Sequence, residues 1–162
     1  MSPVSQRMAI MRARLGKNKA GDASTAKTSL AALAKERGGI VMGARKDVVV
    51  VFDRPEQALE CAVAAIRHFT ESNRALESGR RVSPRIAVHS GEAEVVEDDL
   101  KGAAAELSAR LLEVTPAGRV FASGSAVSPA LGRAGCAFIG LGKELFDCAP
   151  EPVEVYEVVP AA

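Results

Sequence analysis

The chain has 162 residues, 48% of them apolar and 25% charged, with a formal net charge of +1, which fits one globular domain with a sizeable core. Apolar runs end after about five residues, as at 48–52, which excludes a membrane-spanning helix of roughly 20 apolar residues. Arg7, Arg12 and Arg14 break up any apolar leader, so no signal peptide and a cytoplasmic protein are expected.

Charge is unevenly placed: residues 1–50 hold ten Lys/Arg against three Asp/Glu, a net +7, and the remainder holds eleven against seventeen, a net −6. Aromatic residues make up only 4% of the chain. A basic surface without stacking platforms reads as a solvated face or a self-association surface rather than a nucleic-acid arm.

Residues 1–23 mix Lys, Arg, Gly, Asn and Ser around a short apolar group at 8–11. They are expected to form a partly disordered basic segment or an altered first strand, ahead of a single domain over 24–162. Ser24 suits the N-cap of a helix to about 37, which Gly38-Gly39 would stop. Residues 40–43 and 47–52 read as two strands, the second a Val-Val-Val-Val-Phe run expected to be buried on both faces. Asp53-Arg54-Pro55-Glu56 marks a helix start with Asp53 as its cap, and the helix continues to about 72. Its apolar stripe of Ala58, Cys61, Ala62, Ala65, Ile66 and Phe69 assigns Cys61 to the core. Cys61, Cys136 and Cys148 have neither disulfide nor zinc spacing.

Strands follow at 83–89 and 92–96, with Gly91 as the sharp reversal between them, then a helix over 101–114 ended by Pro116 and Gly118. Further strands are expected at 119–123, 137–141 and 153–159. Hairpins mixed with crossover helices predict an α+β fold: a ferredoxin-like mixed, largely antiparallel sheet with helices packed on it.

The run Arg85-Ile86-Ala87-Val88-His89-Ser90-Gly91-Glu92, then Asp99-Leu100-Lys101-Gly102, then Leu107-Ser108-Ala109-Arg110-Leu111, resembles the core of a class III adenylyl/guanylyl (nucleotidyl) cyclase catalytic domain. The resemblance covers about 32–159 and includes the closing Glu-Pro-Val-Glu-Val-Tyr-Glu-Val segment at 151–158. It implies a head-to-tail homodimer with active sites shared between subunits, and a nucleotide as possible ligand.

In that family two aspartates hold the divalent ions that drive cyclisation, one on the first strand and one in a Gly-Asp-Gly hairpin turn. Val51-Phe52-Asp53 sets the register, and counting back six from Phe52 puts Lys46 at the metal position, flanked by Arg45 and Asp47. A shifted role for Asp47 is disfavoured, because a one-residue slip on a strand turns a side chain to the opposite face. If residues 7–15 form the first strand, it carries no carboxylate, and Asp22 reads as a turn or cap residue. No metal site is therefore expected, and Mg or Mn enters only if the chain is an active cyclase.

Asp99 matches the aspartate that accepts from the adenine amino group, but Met42 stands where its partner lysine belongs. Gly102 opens the helix where anions are favoured. Glu106 replaces the ribose-orienting asparagine, and Arg110 matches the transition-state arginine, although Glu106 and Arg110 at i,i+4 also suit a plain surface ion pair. Lys143 lies near the place of a phosphate-binding lysine, whose own position falls at 146–147. His89 sits where the family tolerates histidine, and His68 lies on the polar side of its helix. The chain thus reads as a degenerate, dimeric, regulatory cyclase-like domain. The alternatives are an active adenylyl cyclase, perhaps completed by a partner chain, and a metal-independent phosphate-binding module using Arg45, Lys46 and Arg110.

Overall fold

A computed structural model describes residues 5–16, 23–44 and 46–161. The elements run β1 (Gln6–Arg14), α1 (Ala23–Glu36), β2 (Ile40–Ala44), β3 (Val48–Phe52), α2 (Pro55–Asn73), β4 (Arg85–Val96), β5 (Asp99–Lys101), α3 (Ala103–Glu113), β6 (Val120–Ser123), α4 (Gly124–Val127), β7 (Cys136–Glu144) and β8 (Val153–Pro160). The strands form one sheet in the order β2-β3-β1-β4-β6-β8-β7, with β5 added to β4. Among the described strands only the β4–β6 pair is parallel, so the mixed, largely antiparallel sheet expected from the sequence is the one observed.

Strand β1 lies mid-sheet, paired with β3 on one side and β4 on the other. Its alternation divides the molecule. Ala9, Met11 and Ala13 join the main core with α1, α2 and α4, whereas Met8 and Ile10 pack on the opposite face with Ala93, Leu100, Ala104 and Ala105. A third cluster continues that second face under α3, through Ala87, Leu107, Leu111, Leu112 and Phe146. Cys61 is fully buried in the main core, as its helical stripe indicated, and burial pushes its thiol up to about 11.

Helix α1 ends where the glycine pair predicts. Gly38 adopts φ 81°, the Gly38 amide donates to the Lys35 carbonyl at 3.1 Å and the Gly39 amide to the Ala34 carbonyl at 2.8 Å, a Schellman closure. The cap expected at Ser24 rests on a side chain outside those described, and Asp22 lies outside the described residues altogether.

Three local expectations are corrected. The strand does not reverse at Gly91: β4 runs unbroken through it, because β1 pairs with β4 over nine consecutive positions from Gln6↔Ala93 to Arg14↔Arg85. Gly91 supplies room instead, since a Cβ there would stand 3.1 Å from the Ala104 Cβ and 3.2 Å from the His89 ring. The reversal comes six residues later, at Glu97 and Asp98, both at positive φ (52° and 62°), the condition of a two-residue type I′ hairpin. The cap of α2 is Arg54 rather than Asp53, its amide donating to the Gln57 side-chain oxygen at 3.1 Å. Strand β3 is fully buried on one face only, through Val48, Val50 and Phe52; Val49 and Val51 are half-buried. Among the described residues no helix is long and apolar enough to cross a membrane.

Candidate functional site

The site lies on the α3 face, where the even positions of β1 emerge from the core. After Met8 and Ile10 come Arg12 and Arg14, on the same side of the strand by the two-residue period. Across the ladder, Ala13 pairs with Val48, which brings the preceding Asp47 beside both arginines. Arg14 grips Asp47 with both arms: Nε donates to Oδ1 at 2.7 Å and Nη2 to Oδ2 at 3.2 Å. Arg12 stands 3.8 Å from the same carboxylate through Nη1. Its Nε donates to the Ser108 hydroxyl at 3.1 Å and its Nη2 to the Ala105 carbonyl at 3.3 Å, so one guanidinium ties β1, the β2–β3 turn and α3 together.

These contacts set the electrostatics. Burial pulls the Arg12 guanidinium below its ordinary value and Asp47 opposes that shift; the hydrogen bond to Asp47 raises Arg14. Both remain cations, as guanidinium groups do throughout the working pH range. Asp47 sits in the turn just before β3 begins, so strand alternation does not send it away from Lys46. The two line one cleft of about 580 Å³ together with Arg12, Met42, Val49, Asp99 and Lys101.

The far wall of the cleft is the β4–β5 hairpin. Asp99 accepts from the Leu100 amide at 2.8 Å and lies 3.8 Å from the Lys101 ammonium. Gly102 caps α3 at φ 108°, a conformation that side-chain-bearing residues rarely take. Glu106 is exposed on the first turn of α3.

The i,i+4 ion pair between Glu106 and Arg110 is not formed. Arg110 pairs instead with Asp147 at 3.5 Å and Glu113 at 3.9 Å: the 145–149 segment, anchored by Phe146 under α3, presents Asp147 to it. The cleft thus gathers Lys46, Asp99 and Met42, but neither Arg110 nor Lys143 lines it. Lys143 lies on β7 opposite Glu154, in a separate groove with Gly140, Gly142 and Tyr156. Arg45 lies outside the described residues.

His89 is a buried structural node. Its Nδ1 lies 2.7 Å from the Ser123 hydroxyl and 3.3 Å from that of Ser125, which donates to the Ser90 carbonyl at 2.7 Å. Burial, and secondarily Arg7, pushes its pKa down to about 4, so the ring is neutral at physiological pH. A cleft of about 660 Å³ between α1, α2 and Cys136 contains His68 but none of the expected nucleotide-site residues, and its Arg37 and Arg67 are accompanied by Glu60 and Glu71.

A pair of divalent ions does not fit these residues. Among those described, no three of His, Cys, Asp and Glu gather where one ion could be held. The carboxylate nearest the family's metal position is already paired with two guanidinium groups. Sequence reasoning missed Arg12, Arg14 and Ser108. The available signal was alternation in Met8-Ala9-Ile10-Met11-Arg12-Ala13-Arg14, which puts two cations on one side of a strand otherwise fit for the core.

No family model matches the sequence, and no curated protein matches it. Solved structures do. An adenylate/guanylate cyclase/hydrolase from Silicibacter pomeroyi superposes with a TM-score of 0.85 at 19% identity, covering 98% of this chain and 99% of that one. The adenylyl cyclase CyaB from P. aeruginosa gives 0.86 at 15% identity, over 100% and 98%. A non-canonical dimeric guanylyl cyclase domain of the RhoGC fusion protein from the aquatic fungus Blastocladiella emersonii gives 0.76 at 16% identity, over 98% and 99%.

Proposed function

We propose that this chain, whose fold is that of the class III adenylyl/guanylyl cyclase catalytic domain, is a cytoplasmic signalling module that has kept the scaffold and given up two-metal catalysis, acting as a homodimer. Making a cyclic nucleotide drives the ribose 3′-hydroxyl onto the α-phosphate while pyrophosphate leaves. Two divalent ions ordinarily activate the nucleophile and neutralise that charge.

The observation that carries the reading is the occupied carboxylate: Asp47 is held by Arg14 and lies beside Arg12, with Lys46 at the same turn. Described β1 brings cations to this point and no carboxylate. A divalent ion placed there meets repulsion and no ligand set.

The dimer reading is supported by apolar side chains left at the surface of the same region, Ile40 at 65% exposure and Val95 at 42%; solved neighbours include a non-canonical dimer as well as monomeric domains. Head-to-tail pairing would cover this face with the partner's copy of it.

Incubating the purified chain with ATP or GTP and Mg²⁺ or Mn²⁺ tests the loss of catalysis. No cyclic nucleotide is expected, and turnover that Arg110→Ala abolishes would establish the chain as an active cyclase. Sedimentation across a concentration series tests assembly; a monomer at every concentration refutes the dimer.

A further inference from the structure

We infer that this chain also associates end to end, the acidic outer edge of its sheet at β7–β8 docking on the basic edge at α1–β2 of a second copy. The contact uses the two ends of the sheet and is separate from the pairing of α3 faces proposed above.

Among the described strands β2 and β7 stand at the two ends of the sheet, and the outer side of each presents main-chain groups with no neighbouring strand. The two ends carry opposite charge. Residues 23–47, which form α1, β2 and the turn into β3, hold five Lys/Arg (27, 35, 37, 45 and 46) against Glu36 and Asp47, a net +3. The β7–β8 hairpin, 136–160, holds five Asp/Glu (144, 147, 151, 154 and 157) against Lys143, a net −4.

Pairing within the chain reduces this contrast without cancelling it. At the basic edge Asp47 is bonded to Arg14 and Arg37 lies 3.9 Å from Glu36, which leaves Lys35 and Lys46 exposed. At the acidic edge Asp147 and Glu157 are answered by Arg110 and Arg119, and Lys143 stands opposite Glu154 across the ladder. Glu144 and Glu151 remain exposed there, beside the exposed apolar side chains of Ile139, Leu141 and Leu145.

Two copies of one edge repel each other, and unlike edges attract. Each copy therefore offers a different surface from the one it meets, and every contact leaves one edge of each kind free. Such a heterologous contact does not stop at two copies; it continues into a ring or an open filament. A bulge interrupts each edge, between Val41 and Gly43 and between Gly140 and Gly142, and bulges break regular strand pairing. Side chains carry the contact in place of a continuous ladder, so it is sensitive to salt.

Sedimentation of the unaltered chain over a concentration series tests this at about 0.05 M and about 1 M NaCl, where the screening length falls to about 3 Å. At low salt the mass is expected to grow with concentration past that of two copies, and at high salt to fall back to one or two. Two charge-reversed variants test the geometry. Glu144→Lys with Glu151→Lys makes the free charges at both ends positive, and Lys35→Glu with Lys46→Glu makes them negative. Neither variant should grow past two copies by itself at low salt, and an equimolar mixture of the two should. No growth of the unaltered chain, growth that high salt leaves unchanged, growth of either variant alone, or a mixture that stays at one or two copies overturns the inference. The high-salt mass reads the α3-face dimer separately: one copy there removes that dimer and leaves the end-to-end contact to stand or fall on the low-salt series.

Discussion

The β4–β5 hairpin, which leads into α3, faces the β1 end and its β2–β3 turn across one cleft, yet the β5–α3 segment and the other side depart unequally from the pattern that the resemblance supplies. On the β5–α3 side Asp99, Gly102 and Arg110 keep the residue types that the resemblance implies, and Glu106 does not. On the other side Lys46 and the arginines of β1 do not. The backbone explains part of the contrast. Gly102 is required by its φ of 108°, and Ala104 and Ala105 are buried against β1 and β4, so a change there disturbs the fold. The ladder from Ala9↔Phe52 to Ala13↔Val48 uses only main-chain groups, and the outward side chains at 12, 14, 46 and 47 can change while the strands stay paired. At Gly102 and the buried alanines of α3, therefore, a retained signature reports what packing needs before it reports chemistry.

If packing holds the signature, breaking it should cost stability. The largest effect is expected from His89, which carries both a signature position and a buried network. Its folded pKa of about 4 lies below the ordinary 6.5, so between those values the unfolded chain binds a proton that the native chain refuses. Stability is fully present above about pH 6.5 and is lost as pH falls to about 4, by roughly 3 kcal/mol in total. Urea unfolding across that range should show the slope, and His89→Gln, which does not titrate, should flatten it. An equal slope in the variant would place the acid sensitivity elsewhere.

Gly91 comes next. Gly91→Ala puts a Cβ between the Ala104 Cβ at 3.1 Å and the His89 ring at 3.2 Å, an overpacking cost of about 1–3 kcal/mol. Thermal melting checks it. A neutral result would mean that α3 shifts easily and that packing does not hold this glycine.

The limits of the sequence reading follow the same division. The alternation of strands and helices along the chain, the stop of α1 at Gly38-Gly39 and the apolar stripe of α2 were legible because each is written in local periodicity or caps. The role of Gly91 was not, since a glycine needed for clearance and a glycine needed for a turn look alike until its neighbours are known. The Arg14–Asp47 contact joins positions 33 apart, and Asp147 reaches Arg110 from a loop whose placement depends on Phe146 burying itself under α3. Neither pairing exists in any local pattern.

On the diverged side the expected energies are smaller. A double-mutant cycle of Arg14→Ala and Asp47→Ala should give a coupling of about 1–2 kcal/mol, because the contact is two-armed and its side chains are only 26% and 11% exposed, better than the surface-pair median. Moderate salt should reduce it only partly. A coupling near zero would mean that Asp47 is not firmly held and is open to other cations, which would weaken the argument against metal directly.

The smallest effect is expected at Arg110, and its smallness is informative. Its side chain is 41% exposed, and its partners Asp147 and Glu113 stand at 3.5 and 3.9 Å with exposures of 78% and 57%. Exposed pairs of this kind contribute little, so Arg110→Ala should change stability by no more than about 0.5 kcal/mol, as measured by urea unfolding. Packing then gives no reason for an arginine at this position, unlike Gly91 or Gly102. A cost well above that would assign Arg110 to the scaffold, and its match to the transition-state position would carry no chemical meaning. A cost within it leaves the arginine to be explained by a ligand, a partner subunit or an ancestral reaction. Calorimetric titration of ATP into the unaltered chain and into this variant distinguishes a ligand role from the other two.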